Sequence, residues 1–264
     1  MARILAISSQ VVRGHVGNSA TVVALQRLGH EVWPLPTIVL SNHPGHAHVG
    51  GTRIAPETMR AMLKALGDNG WLGEVDAVLT GYLPTPEHAE VVAEAIAQVT
   101  TARARPLVLV DPVLGDDPRG LYIDVAAAEA VRDRLLPLAD IITPNRFELA
   151  WLSGRPVANI ASAEVAAGSL GGVQVIATSL PAGAPGEIAN LMWTRHETMA
   201  VSVPRLVKAP HGTGDLLAAL FLGCVLNDQP AAEALRSAVA GVRAAIELSA
   251  GADELRLIQH SLTS

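Results

Sequence analysis

His211-Gly212-Thr213-Gly214-Asp215 sets two glycines, a hydroxyl and a carboxylate directly ahead of the longest apolar helix pattern of the chain, which runs through Leu216 to Leu222. The first turn of a helix carries backbone N–H groups without intrahelical partners, and the dipole makes that end positive. Glycines let the backbone come close to an anion, so that the amides point at it. A carboxylate there would repel a phosphate if it acted only as a charge; its better use is as a proton acceptor. The combination of Gly212, Thr213, Gly214 and Asp215 suits phosphoryl transfer to a hydroxyl, with amides and metal holding charge and Asp215 taking the proton. A simple capped helix start competes with this reading of such a short pattern.

Asp111, Asp116 and Glu148 are the candidate metal ligands. Mg²⁺ takes oxygen ligands and is commonly held by one or two carboxylates plus phosphates. Asp111 and Glu148 each come a few residues after an expected strand, so both face one crevice; Glu148 equally suits the first turn of a helix. Asp117, ahead of Pro118, reads as a solvated turn. His43, His46 and His48 crowd one loop, but the Gly and Pro between them give no rigid ligand geometry, so a substrate lid is preferred over a zinc site. Gly14-His15-Val16-Gly17-Asn18-Ser19 supplies a tight turn with Asn18 as a helix cap, and it matches neither the dinucleotide fingerprint nor the P-loop.

These groups must be positioned by an α/β scaffold. Expected strands are Ile4–Ser8, Glu31–Leu35, Ala77–Thr80, Leu107–Val110, Ile141–Thr143 and Val173–Thr178. Helical patterns lie at Asn18–Leu28, Pro56–Leu66, Pro86–Thr101, Val125–Leu135 and Ser162–Gly168. Continuous apolar strands alternating with helices imply a mostly parallel sheet covered on both faces. Ile188–Thr194 and Thr198–Val203 flank Arg195-His196-Glu197 and read as an antiparallel hairpin at one edge. Asn42–Thr52 and Pro181–Glu187 read as mobile loops. Ligands of such sheets sit beyond the carboxyl ends of the strands. The residues at and just beyond those ends are polar: Ser8-Ser9-Gln10, Thr37, Thr80-Gly81-Tyr82, Asp111-Pro112, Thr143-Pro144-Asn145 and Thr178-Ser179.

The chain has 264 residues, half of them apolar, and a net charge of −6, with no basic stripe for nucleic acid. No window approaches the ~20 apolar residues of a membrane span, and the N-terminus reads as a strand rather than a signal peptide. The single Cys224 reads as a core residue and fits a reducing, cytoplasmic setting. One domain over residues 1–264 is expected.

The segment Ser9–Ala20 (Ser-Gln-Val-Val-Arg-Gly-His-Val-Gly-Asn-Ser-Ala) resembles the N-terminal signature of pyridoxal kinases, members of the ribokinase-like superfamily. The resemblance continues through Val32–Thr37, Ser41-Asn42-His43, Gly81-Tyr82-Leu83, Asp111–Asp116, Thr143–Glu148 and Gly212–Leu216, in family order. The Gly-Thr-Gly-Asp block marks the superfamily; the two N-terminal blocks point to the pyridoxal branch. The resemblance implies a three-layer α/β/α sandwich, homodimers, and ATP-dependent phosphorylation of the 5′-hydroxyl of pyridoxal with Mg²⁺ and often a monovalent cation such as K⁺. It implies Asp215 as base and Gly212, Thr213 and Gly214 as the anion hole. Ser9, Thr37, Tyr82 and the neighbouring His43 would face the pyridine substrate. Asp111, Asp116, Tyr122 and Glu148 would form the cation and phosphate region, with Thr143, Thr178 and Ser179 along the ATP channel.

The chain departs from the family at Arg13, where an uncharged residue is expected on the substrate side. It departs again at the short loop Pro181–Glu187 and in the run after Ser249, both expected to bear on the nucleotide. Hydroxymethylpyrimidine kinase, a sugar kinase and a non-catalytic binder of pyridoxal phosphate are the competing readings. Lys64 and Lys208 read as surface residues.

Overall fold

The computed structural model describes residues 1–102, 105–206 and 209–257; Lys208 lies outside the described residues. Strand β1 (Arg3–Val11) shows how the sequence builds the layers. Its side chains alternate across the sheet. Ile4 and Ala6 join the core beneath helices α1 (Asn18–Arg27), α7 (Thr213–Leu226) and α8 (Ala231–Leu248). Leu5 and Ile7 join the opposite core, under α2 (Pro56–Asp68), α3 (Pro86–Ala102), α4 (Val125–Ala130), α5 (Arg146–Ser153) and α6 (Ile160–Gly168). Both faces are apolar because both are covered, which gives three layers.

The remaining strands are β2 (Glu31–Leu40), β3 (Gly51–Arg53), β4 (Ala77–Thr80), β5 (Leu107–Val110), β6 (Gly115–Asp116), β7 (Gly120–Leu121), β8 (Ile141–Ile142), β9 (Gln174–Pro181), β10 (Glu187–Trp193) and β11 (Thr198–Pro204). The main sheet runs β11-β10-β9-β8-β5-β4-β1-β2-β3. The six strands expected from sequence form its parallel centre. The hairpin β10–β11 adds antiparallel at one edge, with Arg195-His196-Glu197 in its turn. Connections diverge between β1 and β4, so a crevice opens beyond their carboxyl ends. Helix α7 is buried continuously from Leu216 to Cys224, as a helix apolar all round must be.

Several expectations need correction. The loop expected over Asn42–Thr52 ends in β3, which pairs antiparallel with β2 through Val39↔Thr52. Pro181 and Glu187 belong to β9 and β10 rather than to the loop between them. The strand expected to reach Thr143 stops at Ile142. The helix Val125–Leu135 is helical only to Ala130 and continues as a wider π-type turn over Val131–Leu135. Asn18 does not cap α1: Gly17 holds the cap position, and the buried Asn18 amide donates to the carbonyls of Ser8 and Leu35 instead.

Candidate active site

The polar strand ends meet the start of α7 around one cleft of about 1340 Å³. Gly212 caps α7 with φ +95°, a left-handed conformation that favours glycine. A Cβ on Gly212 would come within 1.9 Å of the His15 carbonyl, whereas one on Gly214 would meet nothing within 4 Å. Gly212 therefore makes the close turn against the β1–α1 loop, and Gly214 leaves the first-turn amides of α7 open to the cleft. Asp215 comes next, half-buried. Burial pushes its carboxyl up to about 6, partly offset by the amides of Gly17 and of Asp215 itself.

One wall is aromatic. Tyr82 follows β4, and its amide donates to the buried Ser8 hydroxyl at 3.2 Å. His43 and His211 stack, with ring centroids 3.7 Å apart and an angle of 18° between the rings. Burial, then the charge of His211, lowers the His43 pKa to about 4; burial lowers that of His211 as well. Ser9 lines the cleft beside them. Thr37 does not line it. The β1–β2 register slips opposite Ser9, which turns the Thr37 hydroxyl beneath the wall to donate to the Tyr82 carbonyl at 2.8 Å. In this position Thr37 supports the backbone of Tyr82 from behind. Arg13 also turns away, toward Asp253 and Glu254.

The opposite wall is acidic. Asp111 leaves β5 and accepts a hydrogen bond from the Thr143 hydroxyl at 2.9 Å. Burial, then the charges of Asp215 and Glu148, raises its pKa well above the usual carboxylate range. Glu148 closes a capping box at the start of α5. One oxygen accepts from the Asn145 amide at 2.8 Å, and the other from the amides of Leu114 and Gly115 at 2.8 and 3.4 Å. Burial still outweighs these donors and lifts Glu148 to about 7. Asp116 sits on the small β6–β7 hairpin, where one carboxylate oxygen is buried without a partner. Burial, then the neighbouring Asp116, raises the pKa of Tyr122.

Among the described residues no three metal-ligating side chains form a ready-made cage. Asp111, Asp116 and Glu148 nevertheless offer carboxylate oxygens, one of them orphaned and two with raised carboxyl pKa values, and that suits a hard divalent cation completed by phosphates and water beside Arg119 and Arg146. Asp111, Asp116 and Glu148 are the residues that would hold it.

Thr178 and Ser179 line the far end, where β9 leaves its regular pairing with β10 and Ser179 adopts φ +57°. Leu206, Val242 and Ile246 line the same cleft. Sequence reasoning assigned no role to Asn145 or His211. Asn145 was findable: Asn-x-x-Glu is a capping-box spacing. His211 carried no local signal, because its partner His43 comes from a distant loop.

A family described as phosphomethylpyrimidine kinase matches residues 21–257. A pyridoxal kinase of Rubrobacter xylanophilus is 40% identical, covering 99% of this chain and 93% of its own. A pyridoxine/pyridoxal/pyridoxamine kinase of Bordetella bronchiseptica is 36% identical over 96% of this chain and 92% of its own. The structure of Leishmania donovani pyridoxal kinase in complex with ADP and pyridoxine superposes with a TM-score of 0.91 at 31% identity, covering 96% of this chain and 92% of that one. By its sequence and its three-layer architecture, the chain belongs to the pyridoxal kinases of the ribokinase-like superfamily.

Proposed function

We propose that this protein transfers the γ-phosphoryl group of ATP to the 5′-hydroxyl of pyridoxal, yielding pyridoxal 5′-phosphate. The observation that carries the reading is the position of Asp215. It stands where the neutral aromatic wall meets the acidic wall, on the open turn of Gly214. A flat heteroaromatic acceptor fits beside Tyr82, His43 and His211, with Ser9 for a ring substituent. Its hydroxyl then points at Asp215, which accepts the proton as the oxygen attacks phosphorus.

The amides of the Gly212–Gly214 turn face the transferring phosphoryl group and stabilise its charge. Bound Mg²⁺ would neutralise phosphate charge at Asp111, Asp116 and Glu148, with Thr143 orienting Asp111 and Asn145 orienting Glu148. K⁺ is the monovalent ion to test beside it. The nucleotide extends along Thr143, Thr178 and Ser179 toward the apolar end of the cleft at Leu206, Val242 and Ile246. The protein is proposed to work as a single-domain chain, a homodimer, in the cytoplasm, where a lone buried Cys224 stays reduced.

The test is formation of pyridoxal phosphate from pyridoxal, ATP and Mg²⁺, with hydroxymethylpyrimidine in parallel. Product from pyridoxal supports the reading. Turnover of the pyrimidine alone overturns the choice of acceptor and keeps the chemistry; turnover of neither overturns the enzyme reading.

A further inference from the structure

The described run after α8, residues 250–257, lines none of the cleft, yet it grips both loops that frame the acceptor side. Leu255 and Leu257 are buried in the core under α1 and α7. His15 Nδ1 lies 2.6 Å from the Leu255 carbonyl, and Arg27 donates to that of Leu257. Glu254 is the junction. Its Oε1 lies 2.8 Å from His46 Nε2 and 3.3 Å from Arg13 Nη1. Arg13 holds Asp253 with its other arm at 2.9 Å. The carboxylate of Glu254 also lies against Gly14 (φ +99°), where a Cβ would come within 2.4 Å.

The loop over residues 41–50 has no buried residue of its own, so little apolar burial offsets the entropy of ordering it. Among the described residues, the hydrogen bonds of Asn42 to Val49 stay within 41–50 except for His46 to Glu254. The loop nevertheless delivers His43 onto His211, with Gly45 tucked against both rings. The His15 carbonyl, one residue beyond Gly14, abuts Gly212. One carboxylate thus joins the lid loop to the loop that backs the anion-binding turn.

We propose that Glu254 is a positioning residue for the acceptor: it latches His46 and Arg13 together and so holds the His43–His211 platform over the Gly212 turn. This rests on the phosphoryl-transfer reading above. The latch acts on acceptor binding rather than on the nucleotide, because none of its members faces the nucleotide end of the cleft.

The test compares wild type, Glu254→Gln, Glu254→Ala, His46→Ala and the Glu254→Ala/His46→Ala double variant. Loss of a charge-assisted hydrogen bond predicts a rise in KM for pyridoxal of roughly five- to fiftyfold. Glu254→Gln, which keeps the shape, should fall between wild type and Glu254→Ala. The values of kcat and of KM for ATP should stay within about twofold, and the double variant should be no worse than the more affected single one. Amide hydrogen exchange over residues 42–50 should quicken in Glu254→Gln and Glu254→Ala. An unchanged pyridoxal KM with unchanged exchange, equal losses in kcat and both KM values, or additive single effects would overturn the latch. If wild type makes no pyridoxal phosphate, the functional reading fails, and the exchange comparison still decides whether Glu254 orders the loop.

Discussion

With Asp215 as the proposed base, catalysis and stability would oppose each other at this residue, and Asp215→Asn separates the two. Burial raises its carboxyl from 3.8 to about 6. Between those pH values the folded protein keeps a proton that the unfolded chain has released. Stability is therefore lost as pH rises through that window, and the loss is complete above about 6. At about 1.4 kcal/mol per tenfold change, the ionised carboxylate costs the folded state at most about 3 kcal/mol at neutral pH. Asp215 is only half-buried and touches two amides, so about 1–3 kcal/mol is the working range. Asn has the same shape and no charge to desolvate.

Asp215→Asn should therefore raise Tm at pH 7.5 by roughly 2–12 °C for a chain of this size. The gain should shrink as pH falls from 6 and vanish below about 4. Turnover should fall by roughly 10²–10⁴, the usual contribution of a general base. Thermal melts across pH 4–8 and steady-state rates provide the two readouts. An equal Tm for both proteins at pH 7.5, with parallel pH curves, would refute the assignment of a desolvated carboxylate. Near-wild-type turnover would show that Asp215 is not the base.

The same two walls carry further expectations. If Glu148 ligates the cation as proposed, it must be ionised, and with its carboxyl lifted to about 7 apparent Mg²⁺ affinity should rise with pH between 6 and 8; a flat profile would argue against Glu148 as a ligand. Gly212→Ala should lower Tm and abolish activity, since its Cβ would strike the His15 carbonyl. Gly214→Ala has room and better helix propensity, so it should keep stability within about 1 kcal/mol while raising KM for ATP; unchanged ATP kinetics would separate that turn from the phosphates. Asn145→Ala removes the α5 cap and its bond to the Gly115 carbonyl. In urea denaturation it should cost about 1–2 kcal/mol, and a neutral result would deny the capping box its role.

The parallel strands were legible because burial on both faces forces continuous apolar runs, and the helices between them carry their own period. Ala77–Thr80 and Leu107–Val110 were read to the residue. The two-residue strands of the β6–β7 hairpin are too short for any period, and β3 is an edge piece with exposed residues. Helix α5 spans eight residues behind a capping box and was seen only as a possible home for Glu148. Arg13 was read only as an added charge on the substrate side, because its partners, Asp253 and Glu254, lie some 240 residues away. The register slip between β1 and β2 beside Thr37 leaves no trace in residue types.

By itself, then, the amino-acid sequence determined which elements form and that an acidic residue, two glycines and polar strand ends share one edge. Patterning and helix-end chemistry act over a few residues. Only the tertiary structure decided which atoms face the cleft, which carboxylates are desolvated beside one another, and which loop is tied to which tail. Those outcomes depend on contacts between segments whose separation along the chain carries no local record.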